Sequence, residues 1–244
     1  MNNYSYTGTE LDVFASAVNW KTYFSGVFRA WLKGSILEAG AGIGSNTPYF
    51  LNDQVQKLVC LEPDAELGQQ ISGKIHIKLL PECVSYVNGT TSDLNEPGLF
   101  DTILYIDVLE HIENDRAEIS RALHLLKPGG HLIILVPAFN MLYTDFDKEI
   151  GHFRRYTRKT LRKAIVPGFS CKKLIYLDST GFFASLANKL LFKNASANNG
   201  AIRFWDRVMI PISRISDPLC FHSFGKSLVG IWQKNMNGTS RTHG

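Results

Sequence analysis

The sequence predicts a doubly wound α/β fold, and three observations carry the prediction. Short apolar segments at 35–39, 57–64, 84–89, 100–107 and 131–138 alternate with helical or polar stretches, and parallel strands need crossover helices between them. A glycine-rich turn, Gly40 to Gly44, follows the first segment. An acid, Glu62, closes the second. In open α/β sheets ligands bind outside the carboxyl ends of the strands, where strand order reverses.

Each element has its own reason. Residues 10–33 place Leu11, Phe14, Ala17, Val18, Phe24, Val27, Phe28 and Trp31 at helical spacing, which predicts helix. "GSILEAGAGIGSNTPYFL" then reads as strand, glycine turn and helix. "KLVCLEPD" is a second strand stopped by Pro63, since proline cannot donate to a ladder. "VSYVNG" is a third. "FDTILYID" is a nearly continuous apolar run suited to burial on both faces. A helix follows from a cap at Asn114 or Asp115, turns Ile119, Ala122, Leu123 and Leu126 inward, and ends at "KPGG". "HLIILVPA" is the fifth strand. After a polar aromatic stretch comes a basic helix over 157–165, and "CKKLIYLD" and "KSLVGIWQK" are two further strand candidates.

Composition bounds the class. A chain of 244 residues with 45% hydrophobic and 20% charged residues can bury a full core as one large or two small domains. Four scattered cysteines without a C-x-x-C pair argue against a zinc ribbon or a disulfide frame and for a reducing compartment. No secretory-signal pattern opens the chain. The apolar patch at 181–192, interrupted by Asn188 and Lys189, is too short to span a bilayer. The cytoplasm is the expected location. The net charge of +4 divides into −9 over residues 1–150 and +13 over residues 151–244. Either the second half faces something anionic, or the halves neutralise each other in one domain.

The glycine loop indicates an adenosine-type cofactor. Gly40, Gly42 and Gly44 allow a sharp turn and close backbone approach, and Glu62 is placed to accept hydrogen bonds from ribose hydroxyls. A dinucleotide fingerprint would need Gly or Ala at 45, where Ser45 stands. Glu38, two residues before the first glycine, suits a cationic ligand better than a pyrophosphate. A nicotinamide-dependent oxidoreductase, NAD(P)-linked on the same sheet, is the competing reading. An RNA-directed enzyme or a non-catalytic cofactor-binding module is another.

With "LEAGAGIG", the acid of "CLEPD", "FDTILYIDVLEHI" and "LKPGGHLIILVP" in order, the chain resembles the class I S-adenosylmethionine-dependent methyltransferases over about residues 15–165. The resemblance implies a seven-stranded, mostly parallel sheet with helices on both faces, its last strand antiparallel and preceded by a helical insertion. It divides the chain into an N-terminal helical cap (1–34), a cofactor-binding Rossmann-like core (35–178), a helical lid (179–225), and a final strand with a flexible tail (226–244). It places Glu38, Gly40, Gly42 and Gly44 against the methionine moiety and Glu62 on the ribose. Thr91 and Ser92 would border the adenine, with Asp93 beside them, and Asp107 and Val108 would also line the cofactor. The cofactor is then S-adenosylmethionine, and methyl transfer chiefly requires alignment of the acceptor atom and exclusion of water.

Asp107, Glu110 and His111 fall at i, i+3 and i+4, on one side of a helical turn. His152 comes from the loop after the fifth strand. Two carboxylates and two imidazoles suit a divalent metal, and the pattern is similar to that of small-RNA end methyltransferases and ubiquinone-pathway O-methyltransferases, with Asp107 replacing their first Glu. The plainer expectation is a metal-free polar pocket wall; the alternative without metal is that His111 or His152, beside Glu110, serves as general base. Glu113 and Asp115 read as ordinary helix-start acids.

On the acceptor side, Tyr143, His152, Arg154, Arg155 and Tyr156 follow the fifth strand. Arginine forks there could grip a phosphate or carboxylate, so the expected partner is a small or medium-sized acceptor, with an O- or N-nucleophile and an anionic group. Arg154, Arg158 and Arg162 would share one helix face, and Arg155, Lys159 and Lys163 the next, or the latter part is a solvated face. Nucleic acid is the less favoured partner, since no recognised module accompanies the charge. The apolar, basic insertion 179–224 reads as helices over the acceptor pocket. Its aromatics mixed with Lys and Arg also suit an anionic interface. Nothing in the sequence bears on oligomeric state.

Overall fold

The computed structural model describes residues 10–191 and 199–236. Seven strands form one sheet in the order β3-β2-β1-β4-β5-β7-β6: β1 (Gly34–Ala39), β2 (Val55–Glu62), β3 (Val84–Asn88), β4 (Phe100–Ile106), β5 (Leu126–Pro137), β6 (Phe169–Leu177) and β7 (Ser227–Lys234). β7 runs antiparallel to both β5 and β6, and the other pairings are parallel. This is the Rossmann-like methyltransferase fold. The strand order turns back between β1 and β4, so the loops leaving Ala39 and Ile106 diverge and leave a crevice.

The nine α-helices among the described residues are α1 (Glu10–Ala15), α2 (Val18–Phe28), α3 (Ala65–His76), α4 (Asp115–Leu125), α5 (Asp145–Glu149), α6 (Arg158–Ala164), α7 (Ser179–Leu191), α8 (Asn199–Phe204) and α9 (Ile210–Leu219). Period-two alternation divides the core. Ile36, Leu58, Cys60, Leu104, Ile106 and Ile133 meet α2 and its aromatic stack of Trp20, Phe24 and Phe28. Leu37, Val59, Ile103, Tyr105, Leu132 and Ile134 meet Ile119, Ala122 and Leu125 of α4 and Leu161 of α6. Each such large apolar side chain contributes about 1.5–3 kcal/mol by burial.

Several expectations shift in register. The N-terminal helix breaks into α1, α2 and a 3-10 turn, Arg29–Trp31. The helix expected after the glycine turn is a single 3-10 turn, Thr47–Phe50. Pro48 disfavours helical backbone at Thr47, and Asn52 closes the segment by donating to the Leu32 carbonyl and accepting from the Gln54 amide. β5 begins at Leu126 rather than 131, with its register against β4 shifting between Phe100 and Thr102. Asn114 is the N-cap of α4, accepting from the Ala117 amide at 3.0 Å.

The insertion is tied down by buried carboxylates. Asp178 accepts from the Gly181 amide, Ser213 Oγ and Trp205 Nε1. Asp217 accepts from the amides of Asp178 and Ser179 and from Tyr23 OH. Asp206 accepts from the Asn19 and Trp20 amides at the start of α2. A π-helical turn, Trp205–Met209, joins α8 to α9 and turns both Trp205 and Asp206 inward. No helix among the described residues is long and apolar enough to cross a membrane. Of the flexible tail expected after Lys234, Asn235 is held by its amide donating to the Gly168 carbonyl, and residues 237–244 lie outside the described residues.

Candidate active site

A cavity of about 1480 Å³ fills the crevice at the carboxyl edge of the sheet. Single-ligand pockets are typically about 300–1000 Å³, so this one has room for a cofactor and an acceptor together. Its walls come from the loops after β1, β2, β3, β4 and β5, the start of β7, and helices α7 and α8.

One end is backbone-rich. Gly40 has φ +68°, and a Cβ there would lie 2.7 Å from Val108 Cγ2, so the β1 and β4 loops meet at a contact only glycine permits. Glu62 Oε2 accepts from the Gly42 amide at 2.8 Å and Oε1 from the Asp64 amide at 3.0 Å. Burial raises its pKa, and the two amide bonds oppose that rise. Thr91 and Ser92 line the same end, and Thr91 Oγ1 donates to the buried Glu118 at 2.7 Å.

Two residues expected on the wall stand behind it. Glu38 is buried and accepts from Thr47 Oγ1 at 2.7 Å, and burial pushes it up to about 7. Gly44 (φ +67°) packs over Ile71. Both brace the loop from beneath. Asp93 accepts from the amide and hydroxyl of Thr90, closing a capping box away from the cavity.

The other end is rich in charge. Asp107 adopts a left-handed backbone (φ +54°), with its amide donating to Leu135 O. Such a conformation at a non-glycine residue costs about 1–3 kcal/mol and is held by its surroundings. The side chain borders the open cavity yet is ringed by protein. That enclosure raises it to about 6, with His152, Lys226 and Arg155 opposing. Burial, with His152 close by, pushes His111 down to about 4, against the opposing pull of the Ile150 and Gly151 backbone. The imidazole is therefore neutral near pH 7.

Asp147 organises this end. Fully buried, it accepts from His152 Nδ1 at 2.8 Å, from Arg155 Nε and Nη2 at 2.8 and 2.9 Å, and from the amide and hydroxyl of Thr144 at 2.9 and 3.0 Å. Burial alone would raise its pKa, but these hydrogen bonds hold it well below the usual carboxylate range. The bond to Nδ1 orients His152, whose Nε2 lies 3.9 Å from Glu110 Oε1. Neither Glu110 oxygen has a hydrogen-bond partner, nor does Arg155 Nη1, though all three are buried. Ligand atoms of Glu110, His111 and His152 lie within 4.8 Å of one another.

Asp107, Val108, Glu110, His111, Tyr143, His152 and Arg155 therefore converge on one cavity with the loop glycines Gly40 and Gly42. Asp107, however, is not in the donor group of Glu110, His111 and His152, because its left-handed turn sends the chain into a 3-10 turn, Leu109–His111. Arg154 and Tyr156 do not line the cavity. Both reach Asp115, Arg154 at 3.0 Å and Tyr156 OH at 2.8 Å, because α6 begins only at Arg158 and the extended chain before it alternates sides. Arg154 and Arg155 thus lie outside the helical faces expected for them. Unforeseen at the site are Asp147's central part, the Trp20, Phe24 and Trp205 wall, and Lys226, whose amine stands 5.1 Å over the Trp205 ring. A lysine opening the last strand carries no local signal of its position.

A sheet reversed at β1/β4, a glycine loop facing an acid at the end of β2, and an antiparallel final strand together define the class I S-adenosylmethionine-dependent methyltransferases. Residues 19–165 match the methyltransferase-domain family, and the chain belongs to it. That membership sets aside the nicotinamide and non-catalytic readings. No curated protein matches the chain by sequence. Among solved structures, it is similar to a geranyl diphosphate methyltransferase in complex with S-adenosylmethionine (10% identity, TM-score 0.63, 93% of this chain and 91% of that one). It is similar to a protein from Galdieria sulphuraria assigned as a sarcosine dimethylglycine methyltransferase (13%, 0.60, 89% and 85%). It is also similar to a Haemonchus contortus phosphoethanolamine N-methyltransferase in complex with phosphomonomethylethanolamine and S-adenosylhomocysteine (14%, 0.61, 93% and 58%). At these identities the likeness is one of fold.

Proposed function

We propose that the protein transfers the methyl group of S-adenosylmethionine to an oxygen or nitrogen of a small or medium-sized anionic acceptor. One observation carries this reading: a single cavity runs from the glycine loop and Glu62 to a pair of cations, Arg155, whose buried Nη1 has no hydrogen-bond partner, and Lys226, whose amine stands over the Trp205 ring. A buried donor without a partner costs about 1–3 kcal/mol, a cost that an acceptor carboxylate or phosphate would offset.

In this reading Gly40 and Gly42 approach the methionine end of the cofactor, Glu62 takes the ribose hydroxyls, and Thr91 and Ser92 border the adenine. Asp107 and Val108 flank the sulfonium. Arg155, locked on Asp147, and Lys226 orient the acceptor anion, with Tyr143 beside them. The methyl would move in line from sulfur to the acceptor atom, and the acceptor's proton would pass to the imidazole of His111. Gly44 and Glu38 support the loop.

A divalent cation is a second reading for the same end, favoured by the unpartnered Glu110 carboxylate. Glu110, His111 and His152 would hold it, and Asp147 on His152 Nδ1 supplies the outer carboxylate that metal-bound histidines commonly have. A bound cation would polarise the acceptor oxygen. Elemental analysis of protein purified without chelator tests this: stoichiometric metal lost in Glu110→Ala supports it, and none in the wild type refutes it.

The main reading is tested with methyl-labelled S-adenosylmethionine and a cell extract fractionated by charge. Label in a small anionic product, lost in Arg155→Ala with Lys226→Ala while cofactor affinity measured by calorimetry stays within about twofold, is the expected result. Label confined to RNA, or unaffected by the double substitution, overturns the anionic-acceptor reading.

A further inference from the structure

The helical ridge over the cavity, running from Asn199 to Leu219, is apolar on the wrong side for a protein surrounded only by water. Its inner face carries Ile202, Trp205, Asp206, Ile210, Ser213 and Asp217, all buried. Its outer face carries Phe204, which also lines the cavity, and Val208, Ile212, Ile215 and Leu219; these are 42–75% exposed, and Phe221 follows at 85%. The spacing of four, four, three and four residues keeps the five helical positions on one stripe. Scattered exposed apolar residues are ordinary, but a contiguous file marks a contact surface.

Charge says what the contact is with. Arg203, Arg207 and Arg214 lie one position N-terminal to members of the stripe and so flank it on one side, all exposed. Arg214 also donates to the Asn19 carbonyl and lies over the Tyr23 ring. The only three acids after residue 150 are Asp178, Asp206 and Asp217. All three are buried and point inward to donors of the fold. This half of the chain, at +13, therefore presents no carboxylate side chain to solvent beside the ridge. An apolar stripe edged by arginines, with no acid on its own outer face, complements an anionic lipid surface, with the apolar side chains in the acyl boundary and the guanidinium groups among phosphates.

We propose that the ridge Arg203–Phe221 docks this protein on anionic bilayers, lying in the interface plane without crossing it. The inner side of the same helix lines the cavity through Ile202, Trp205 and Met209, so docking sets the cavity wall against the membrane. The proposal stands independently of the acceptor assigned above.

Co-sedimentation of the full chain with vesicles tests it, using phosphatidylcholine alone and phosphatidylcholine mixed with phosphatidylglycerol. Binding to the mixed vesicles only, weakened by salt, is expected. Arg203→Gln with Arg207→Gln should reduce it about thirtyfold, and Ile212→Asp with Ile215→Asp should abolish it. S-adenosylmethionine binding by each variant verifies that the fold is intact, since none of the four substituted residues lines the cavity. Equal binding to both vesicle types overturns the proposal, as does binding that both double variants retain. A ridge-dependent dimer or RNA complex without vesicle binding also overturns it.

Discussion

Replacing Asp147 with Ala removes the group on which the charged end of the cavity is built. Its carboxylate is fully buried and accepts five hydrogen bonds, three of them from His152 and Arg155. Without it, the Arg155 guanidinium, itself only 10% exposed, stays buried and unpaired. Breaking a buried pair by deleting one partner costs about 3–5 kcal/mol. Urea denaturation followed by tryptophan fluorescence reads that loss. With a slope near 3 kcal/mol per M, the midpoint should fall by about 1–1.7 M. The pH dependence has a definite sign. Because Asp147 is held below its ordinary range in the fold, its stabilisation is fully present above the unfolded value of about 4 and drains away as pH falls toward the folded one. The gap between wild type and Asp147→Ala should thus be flat from about pH 7 to 5 and close in more acidic solution. A loss under about 1 kcal/mol at pH 7, or a gap that widens in acid, would refute the reasoning.

Two further outcomes follow from the glycine loop. Burial raises Glu38 to about 7, so the folded state holds its proton more tightly than the unfolded chain. That contribution is complete below about pH 4.5 and is lost as pH rises through 7. Glu38→Gln, which keeps an acceptor for Thr47, should gain about 2 kcal/mol relative to wild type between pH 5 and pH 7.5, and equal shifts of the denaturation midpoint at both pH values would contradict it. Gly40→Ala places a methyl 2.7 Å from Val108 Cγ2 at φ +68°, adding about 1–2 kcal/mol of left-handed strain to the clash. Calorimetry should find S-adenosylmethionine affinity reduced at least about tenfold, with partial recovery on adding Val108→Ala.

Local pattern alone determined the sheet, the glycine loop and the acid closing β2, because strand periodicity, a left-handed turn and a strand-ending carboxylate are properties of neighbours in sequence. It also placed Asp107, Glu110, His111 and His152 around one site. It misplaced what depends on which way a side chain leaves an irregular backbone. Arg154 and Tyr156 resemble Arg155 in sequence, yet their stretch of extended chain sends alternate residues to opposite sides, and Asp115 receives the two that face away. Only the tertiary structure made Asp147 a hub, brought Lys226 from the opening of β7 to the cavity, and turned all three late acids inward beneath the exposed ridge. Lys226 and the late acids meet partners tens to hundreds of positions away, and Asp147, though it bonds residues three to eight positions away, does so through irregular backbone; in both cases burial and pairing are decided by which elements pack together.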